Sequence, residues 1–104
     1  MIKHLNIEGN CIVESTQEVG QILVMFAPDD RERAVVQEQF GLDDYDLNST
    51  LDPDEVSRLD VSDGRLLLIW KVPETASVSE AIDLAVSTVG LSLLKDRLAF
   101  VRRT

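Results

Sequence analysis

The segment ILVMFAPDDRERAVVQEQFG, residues 22–41, places an apolar strand directly before a helix. ILVMFA is a continuous apolar run of strand length, which is typical of a buried central strand. Acidic residues follow Pro28, where the positive end of a helix dipole favours them, and Gly41 suits the position just past a helix C-terminus. The segment therefore predicts a strand at 22–27 and a helix at about 29–40.

Strand patterns lie on both sides of this segment. Two short strands flank the Gly9-Asn10 turn near the start of the chain. Residues 56–61 and 65–72 are joined by a Ser-Asp-Gly turn, which is a hairpin signal. The second of these strands, RLLLIWKV, is apolar enough to be buried on both faces at its centre. RLAFVRR closes the chain as another strand after the turn at Lys95-Asp96.

The stretch before this closing strand is ambiguous. PETASVSE, residues 73–80, predicts a loop. Ser79 suits the N-cap of a helix, whereas LAVSTV alternates as a strand does, and a strand at 84–94 gives the closing strand a partner. The order of elements predicts a single domain over residues 1–104. Its class is α/β or α+β, with helices packed on a mixed sheet.

The acidic stretch DYDLNSTLDPDE, residues 44–55, fits an EF-hand calcium loop in part. Its acidic residues and one Asn are spaced like the ligands of such a loop. However, the sixth position needs Gly and holds Ser49, and the flanking sequences do not predict the two helices that an EF-hand requires. A short helix explains the same residues, with Asp52 as N-cap, Pro53 as first helical residue and Glu55 as capping-box partner. We favour this short helix over calcium binding.

Composition and charge narrow the function classes. The chain has 104 residues, 44% of them hydrophobic, and one Cys, so it can build one modest core and has no internal disulfide. The formal net charge is −9. Residues 29–63 carry all of it, with twelve acidic and three basic side chains, because the remaining seven acidic and seven basic side chains cancel. Such a surface repels nucleic acid and attracts cations or basic partners, although solubility alone is also a sufficient reason for it.

The sequence also predicts a soluble, cytoplasmic chain. MIKHLNIEGN lacks the long apolar run of a signal peptide. The longest apolar run, LLLIW at 66–70, is too short to span a bilayer. A lone Cys fits a reducing compartment.

No residue set in the sequence supports catalysis. His4, the only His, has no Cys or His partner at ligand spacing, and Cys11 has no His nearby in sequence. The nucleophile and phosphate-loop motifs are absent. We therefore interpret the chain as a non-enzyme. The acidic side chains still suit Mg²⁺ binding, because Mg²⁺ keeps most of its waters and needs only one or two carboxylates from a protein.

Three segments together resemble the N-terminal cytoplasmic domain of the CorA-type magnesium/cobalt transporters. The opening segment matches that family's strand, Ala-Pro-acidic helix start and Phe-Gly-Leu helix end. LNSTLDPDEVSRLDVSDGRLLLIWKVP resembles its Leu-Glu-Asp-x-Leu segment, Arg-containing strand and long apolar strand, and VGLSLLKDRLAFVRR resembles its closing hairpin. The resemblance implies a CorA soluble-domain-like fold on the cytoplasmic face of the cell membrane. It also implies a homopentamer in the full-length transporter, whose stalk, membrane helices and Gly-Met-Asn motif are not in this sequence.

The resemblance implies a regulatory metal site as well. The family senses Mg²⁺ through the Asp of Leu-Glu-Asp-x-Leu together with a carboxylate of the neighbouring subunit. In LNSTL that position is Ser49, so the candidate ligands for weakly bound Mg²⁺, with Co²⁺ or Zn²⁺ as alternatives, are the nearby Asp46, Asp52 and Asp54. This predicts a sensor domain that gates a divalent-cation pore. The charge distribution by itself also supports a second hypothesis, in which the chain is a stand-alone acidic adaptor that binds a basic protein.

Overall fold

Over the residues that the structure describes, the protein is a seven-stranded mixed sheet with two helices on one side. The computed structural model describes residues 1–17, 19–73 and 86–103. The helices are α1 (Asp30–Phe40) and α2 (Asp44–Leu51), and the strands are β1 (Ile2–Glu8), β2 (Cys11–Glu14), β3 (Ile22–Phe26), β4 (Arg58–Ser62), β5 (Arg65–Pro73), β6 (Val86–Leu93) and β7 (Leu98–Arg102). The predicted class, a mixed sheet with helices packed on it, is confirmed.

The strands lie in the order β2-β1-β3-β7-β6-β5-β4. All neighbours are antiparallel except β3 and β7, which run parallel. After β3 the chain crosses one face of the sheet as α1 and α2 and re-enters at the far edge as β4. Three antiparallel strand pairs, β4–β5, β5–β6 and β6–β7, then bring it back to place β7 beside β3. Parallel neighbours need a long connection, and here that connection carries both helices.

Helix α1 has the termini that the sequence indicates. The Asp29 carboxylate accepts the Glu32 backbone N–H at 2.8 Å, and the Glu32 carboxylate accepts the Asp29 N–H at 3.1 Å, which completes a capping box. Gly41 ends the helix in the left-handed region, with φ 64°. Val36 and Phe40 are fully buried one turn apart. These local signals explain why the prediction for α1 is confirmed.

The prediction for the second helix is wrong. Asp52 is the C-cap of α2 and not an N-cap, and Asp43 is the N-cap, with its carboxylate accepting a backbone N–H of the first turn at 2.7 Å. Leu47 and Leu51, one turn apart, are 2% and 7% exposed and pack into the core. Pro53 disfavours helical backbone at the residue before it, so the chain is extended there and the helix ends. Most of the stretch that resembles a calcium loop is therefore helical.

The core lies between the helices and one face of the sheet. It consists of Leu23, Met25, Val36, Phe40, Leu42, Leu47, Leu51, Ala99 and Val101. The prediction that β5 is buried on both faces is wrong. Leu67 and Ile69 are 7% and 0% exposed, whereas the alternating Leu66 and Leu68 are only half-buried. Strand side chains alternate between faces, so among the described residues the helices cover the face that Leu67 and Ile69 share.

Helix α2 lies against the sheet at a glycine. Gly90 on β6 lies beneath Thr50, and a Cβ atom on Gly90 would be 2.0 Å from Thr50 Cγ2. Thr50 is 1% exposed and donates its hydroxyl to the Asp46 carbonyl at 2.9 Å. The missing side chain at Gly90 therefore sets the distance between α2 and β6, and with it the position of the acidic residues on α2.

The connection between β5 and β6 can be compared with the sequence predictions only in part. Residues 74–85 lie outside the described ranges, and with them most of the predicted loop at 73–80 and the alternative helix start at Ser79. The predicted strand at 84–94 is confirmed over Val86–Leu93. Among the described residues, no helix has the length and apolarity needed to cross a membrane.

Candidate functional site

The acidic segment 29–63 forms the helices α1 and α2 together with edge strand β4, and we call it the acidic layer. Part of its acidity has a structural cause. Asp30 and Glu32 lie in the first turn of α1, and Asp44 and Asp46 lie in the first turn of α2. The helix dipole favours negative charge at these positions. The helix dipole therefore accounts for these acids without a metal ion.

Arg58 on β4 gathers three carboxylates of the acidic layer. Its guanidinium nitrogens lie 2.9 Å from Asp60, 3.3 Å from Glu55 and 3.8 Å from Asp46. Its Cζ atom lies 5.2 Å from the centroid of the Tyr45 ring. We call these five residues the Arg58 cluster. The Arg58 and Asp46 side chains are 22% and 25% exposed, so their charges interact in partly dehydrated surroundings, where attraction is stronger than in water.

The Asp46 carboxyl is the least satisfied group of this cluster. Burial raises its pKa above 3.8, the neighbouring Asp43 raises it further, and Arg58 acts in the opposite direction. Arg58 Nη2, at 3.8 Å from Asp46, is too distant for a hydrogen bond and has no other partner among the described residues. Burial lowers the pKa of Arg58, but Asp60 and the other negative neighbours outweigh it and raise the pKa overall. The cluster therefore keeps Arg58 charged and leaves Asp46 poorly compensated.

Replacing Asp46 with Asn should stabilise the protein more at pH 7 than at pH 4. Because the folded-state pKa of Asp46 is raised above its unfolded value, the native state holds this proton more tightly. The stability linked to protonated Asp46 is complete below the unfolded pKa and is lost as the pH rises through the folded pKa. Asn cannot ionise, so the variant avoids this loss.

Urea unfolding at the two pH values measures this effect. Asp63→Asn, at an exposed aspartate in the β4–β5 turn, is the control and should show no comparable pH-dependent gain. A gain for Asp46→Asn that is equal at both pH values would contradict the ionisation argument.

Asp52 and Asp54 are exposed and lie in the loop between α2 and β4. Asp52 Oδ1 accepts the backbone N–H of Asp54 at 2.9 Å. The Lys71 ammonium donates to the Pro53 carbonyl at 2.5 Å and to the Thr88 hydroxyl at 2.7 Å. That hydroxyl in turn donates to the Asp52 carbonyl at 2.7 Å. Hydrogen bonds from the sheet therefore fix the loop that carries two of the three candidate ligands.

The three candidate ligands occupy two places in the chain. Asp46 belongs to the Arg58 cluster in the first turn of α2, whereas Asp52 and Asp54 follow the last turn. Among the described residues, no three His, Cys, Asp or Glu side chains lie close enough together to hold a metal ion. Ser49, where the resemblance to the CorA family places a bridging Asp, is 4% exposed. That position faces the inside of this chain, so a site shared between subunits would have to use other carboxylates.

Two basic residues that organise this region, Arg58 and Lys71, were not predicted from the sequence. Arg58 and Asp60 are two residues apart on β4, so they share a face, and this spacing was an available signal. Lys71 and Thr88 are seventeen residues apart and meet only because β5 pairs with β6. No local pattern predicts the Lys71 contact.

The chain resembles known proteins in its fold. No protein-family model and no curated protein matches this sequence. Among solved structures, the soluble domain of CorA from Methanocaldococcus jannaschii aligns with 97% of the chain, at a TM-score of 0.67 and 20% sequence identity. This chain has the fold of the part of the CorA soluble domain with which it aligns. The complete CorA magnesium transporter from the same organism aligns with 96% of the chain, at a TM-score of 0.61 and 20% identity.

The CorA-like fold covers only part of those structures. The chain spans 40% of the soluble-domain chain and 31% of the transporter chain. At 20% identity the likeness establishes the fold, and the predicted CorA soluble-domain-like architecture is confirmed. Ion binding, assembly and gating belong to the proposal that follows.

Proposed function

We propose that this chain is a cytoplasmic regulatory domain of a CorA-like divalent-cation transporter and that it responds to Mg²⁺ through its acidic layer. The observation that carries the proposal is the likeness to the CorA soluble domain over 97% of the chain. The acidic layer is a second support, because it carries the entire net charge of −9. The role is regulatory and not catalytic, and its place is the cytoplasmic face of the cell membrane.

In this proposal the ion binds between subunits of a homo-oligomer. Asp52 and Asp54 offer two exposed carboxylates, and Mg²⁺ that keeps its waters needs no more than that from one chain. A bound cation offsets the repulsion between neighbouring acidic layers and favours the closed assembly, and loss of the ion lets the layers separate. Co²⁺ and Zn²⁺ are the alternative ions. The Lys71 ammonium, which donates to the Pro53 carbonyl of the same loop, opposes cation binding, so we expect millimolar affinity for the chain alone.

Mg²⁺ should raise the unfolding temperature of the chain, and Asp54→Asn should reduce that rise. For a dissociation constant near ~1 mM, 10 mM free Mg²⁺ stabilises the native state by about 1.4 kcal/mol. That gain corresponds to roughly 7 °C for a domain of this size. Thermal unfolding at constant ionic strength, with K⁺ replacing Mg²⁺ in the reference, measures the effect.

Asp63→Asn is the matched control, because it removes the same charge from another exposed aspartate of the acidic layer. Only Asp54→Asn should lose most of the Mg²⁺ effect. If both variants lose it equally, the ion acts by general charge screening and the proposed site is wrong. Stabilisation by micromolar Ca²⁺ would instead favour a calcium-binding protein.

The charge distribution also supports a second candidate function, docking of a basic protein. Twelve acidic side chains and only three basic ones lie in the acidic layer, which suits a basic partner. In that case a lysine-rich peptide would raise the unfolding temperature in low salt, whereas Mg²⁺ at equal ionic strength would not.

A further inference from the structure

The loop between α2 and β4 begins with a hydrogen-bonded turn at residues 52–55. The Asp52 carbonyl accepts the Glu55 backbone N–H at 3.3 Å, and Asp52 Oδ1 accepts the Asp54 N–H at 2.9 Å. Pro53 fixes its own φ and restricts the backbone of the residue before it. The two exposed candidate ligands, Asp52 and Asp54, therefore lie on one closed turn.

The sheet holds this turn by two of its carbonyls. The Thr88 hydroxyl donates to the Asp52 carbonyl at 2.7 Å, and the Lys71 ammonium donates to the Pro53 carbonyl at 2.5 Å. Lys71 also donates to the Thr88 hydroxyl at 2.7 Å. The Asp52 carbonyl thus takes part both in the internal hydrogen bond of the turn and in its contact with the sheet.

The residues that hold the turn are themselves fixed in place. Thr88 is 2% exposed and lies directly opposite Lys71 in the pairing of β5 with β6. Strand β6 is an inner strand, with a paired neighbour on each side. A threonine side chain is also stiff, because it is branched at Cβ. The Thr88 hydroxyl is therefore a rigid point of the sheet to which the exposed turn is attached.

A turn that is fixed before the ion arrives should bind it more tightly than a mobile turn. A mobile loop loses conformational freedom when it binds, and that loss reduces the affinity. Mg²⁺ also demands a near-ideal octahedral arrangement of its oxygen ligands. Hydrogen bonds that fix the backbone at Asp52 and Pro53 limit how far the carboxylates of Asp52 and Asp54 can move apart.

We propose that Thr88 and Lys71 are positioning residues of the Mg²⁺ site, which hold the turn in the form that receives the ion and do not contact the ion. This inference rests on the proposed function, and it assigns part of the Mg²⁺ affinity to a buried hydroxyl of the sheet. Lys71 has two opposing effects, because its ammonium both holds the turn and repels the cation. Thr88 carries no charge, so its replacement isolates the effect of position.

Helix capping alone is the alternative role for these residues. The last turn of α2 contains no basic side chain, and the Lys71 ammonium supplies the positive charge that a helix C-terminus favours. Arg65, on the same strand, donates to the Gly41 carbonyl at the end of α1 in a similar way. If capping were the whole role, loss of the Thr88 hydroxyl would lower stability and leave the Mg²⁺ affinity unchanged.

Thr88→Val tests the proposal, because valine has nearly the shape of threonine and lacks the hydroxyl. The Mg²⁺ dissociation constant, measured from amide shifts of the ¹⁵N-labelled chain at constant ionic strength, should rise about five-fold, equivalent to about 1 kcal/mol. Without metal, the order parameters of the Asp54 and Glu55 amides should fall from about 0.85 to below ~0.6. Thr88→Ser keeps the hydroxyl and should show wild-type values of both quantities.

Thr50→Val is the matched control. Thr50 is 1% exposed, against 2% for Thr88, and its hydroxyl donates to the Asp46 carbonyl within α2 and not to the turn. This variant should lose stability without a change in the dissociation constant. If Thr88→Val does not fold, Lys71→Met is the second variant. It is measured by the metal-free order parameters, which should fall in the same way, because loss of the ammonium also removes its repulsion of the ion.

Two results would overturn the positioning role and leave the proposed function intact. One is saturable Mg²⁺ binding by the wild type that Thr88→Val weakens no more than Thr50→Val does. The other is a turn whose order parameters stay at the wild-type value in both Thr88→Val and Lys71→Met. A wild-type chain without a saturable Mg²⁺ response would contradict the proposed function itself, and the positioning role with it.

Discussion

Replacing Gly90 with Ala should destabilise the protein by about 3 kcal/mol, which is a severe effect for one added methyl group. The new Cβ atom would lie 2.0 Å from Thr50 Cγ2 and 2.9 Å from Thr50 Cβ. Thr50 is 1% exposed and fixed by its hydrogen bond to the Asp46 carbonyl, so it has little room to move. The clash would push α2 away from β6. Urea or thermal unfolding measures the loss.

A double-mutant cycle shows whether this contact is the cause. Thr50→Ser removes the methyl group nearest to position 90 and keeps the hydroxyl. Ala at position 90 should therefore cost at least ~1 kcal/mol less in the Thr50→Ser background than in the wild type. Equal costs in both backgrounds would mean that α2 and β6 are not in this contact.

Replacing Arg58 with Met should destabilise the protein by about 2 kcal/mol at pH 7. Met keeps most of the apolar side-chain volume and removes the charge that Asp46, Glu55 and Asp60 share. Exposed ion pairs contribute under ~1 kcal/mol, and breaking buried pairs costs about 3–5 kcal/mol. The Arg58 side chain is 22% exposed, so an intermediate loss follows.

Arg31→Met is the control for Arg58→Met. Arg31 is exposed on α1, within the same acidic layer, and its replacement changes the net charge by the same amount. Its loss of stability should be below ~0.5 kcal/mol. Arg58→Lys should recover only part of the loss, because an ammonium cannot reproduce the planar contacts of a guanidinium. Equal losses for Arg58→Met and Arg31→Met would contradict a special role for the Arg58 cluster.

The elements that sequence predicted well have local causes. Helix α1 is bounded by its own capping box at Asp29 and by the left-handed Gly41. The β4–β5 hairpin turns at Asp63-Gly64, where Gly64 has φ 71°. In these places the signal and the structure that it specifies lie within a few residues of each other, so sequence alone was sufficient.

Helix α2 was misplaced because two helix starts compete in one acidic stretch. Asp43 and Asp52 are both suitable N-caps, and Pro53 favours a helix that begins after Asp52. The actual helix begins after Asp43 because it buries Leu47 and Leu51 against the sheet. That burial depends on residues about forty positions further along the chain, which no local pattern contains.

The candidate site shows the same difference between features with local causes and features that depend on distant contacts. The distribution of charge along the sequence was enough to locate the acidic segment, and the resemblance to the CorA family pointed to Asp46, Asp52 and Asp54. It could not show that Asp46 lies beside Arg58, or that Lys71 fixes the loop of the other two. Both contacts join separate elements, and they depend on the packing of α2 and on the pairing of β5 with β6.

The central claim, that the acidic layer senses Mg²⁺, is tested most directly by nuclear magnetic resonance. Amide shifts of the ¹⁵N-labelled chain are followed during Mg²⁺ titration at constant ionic strength. The account predicts saturable shifts with a millimolar midpoint, strongest at residues 52–55 and absent from the β1–β2 hairpin. Small, uniform shifts that do not saturate would contradict it and leave the acidic layer as a solubilising surface.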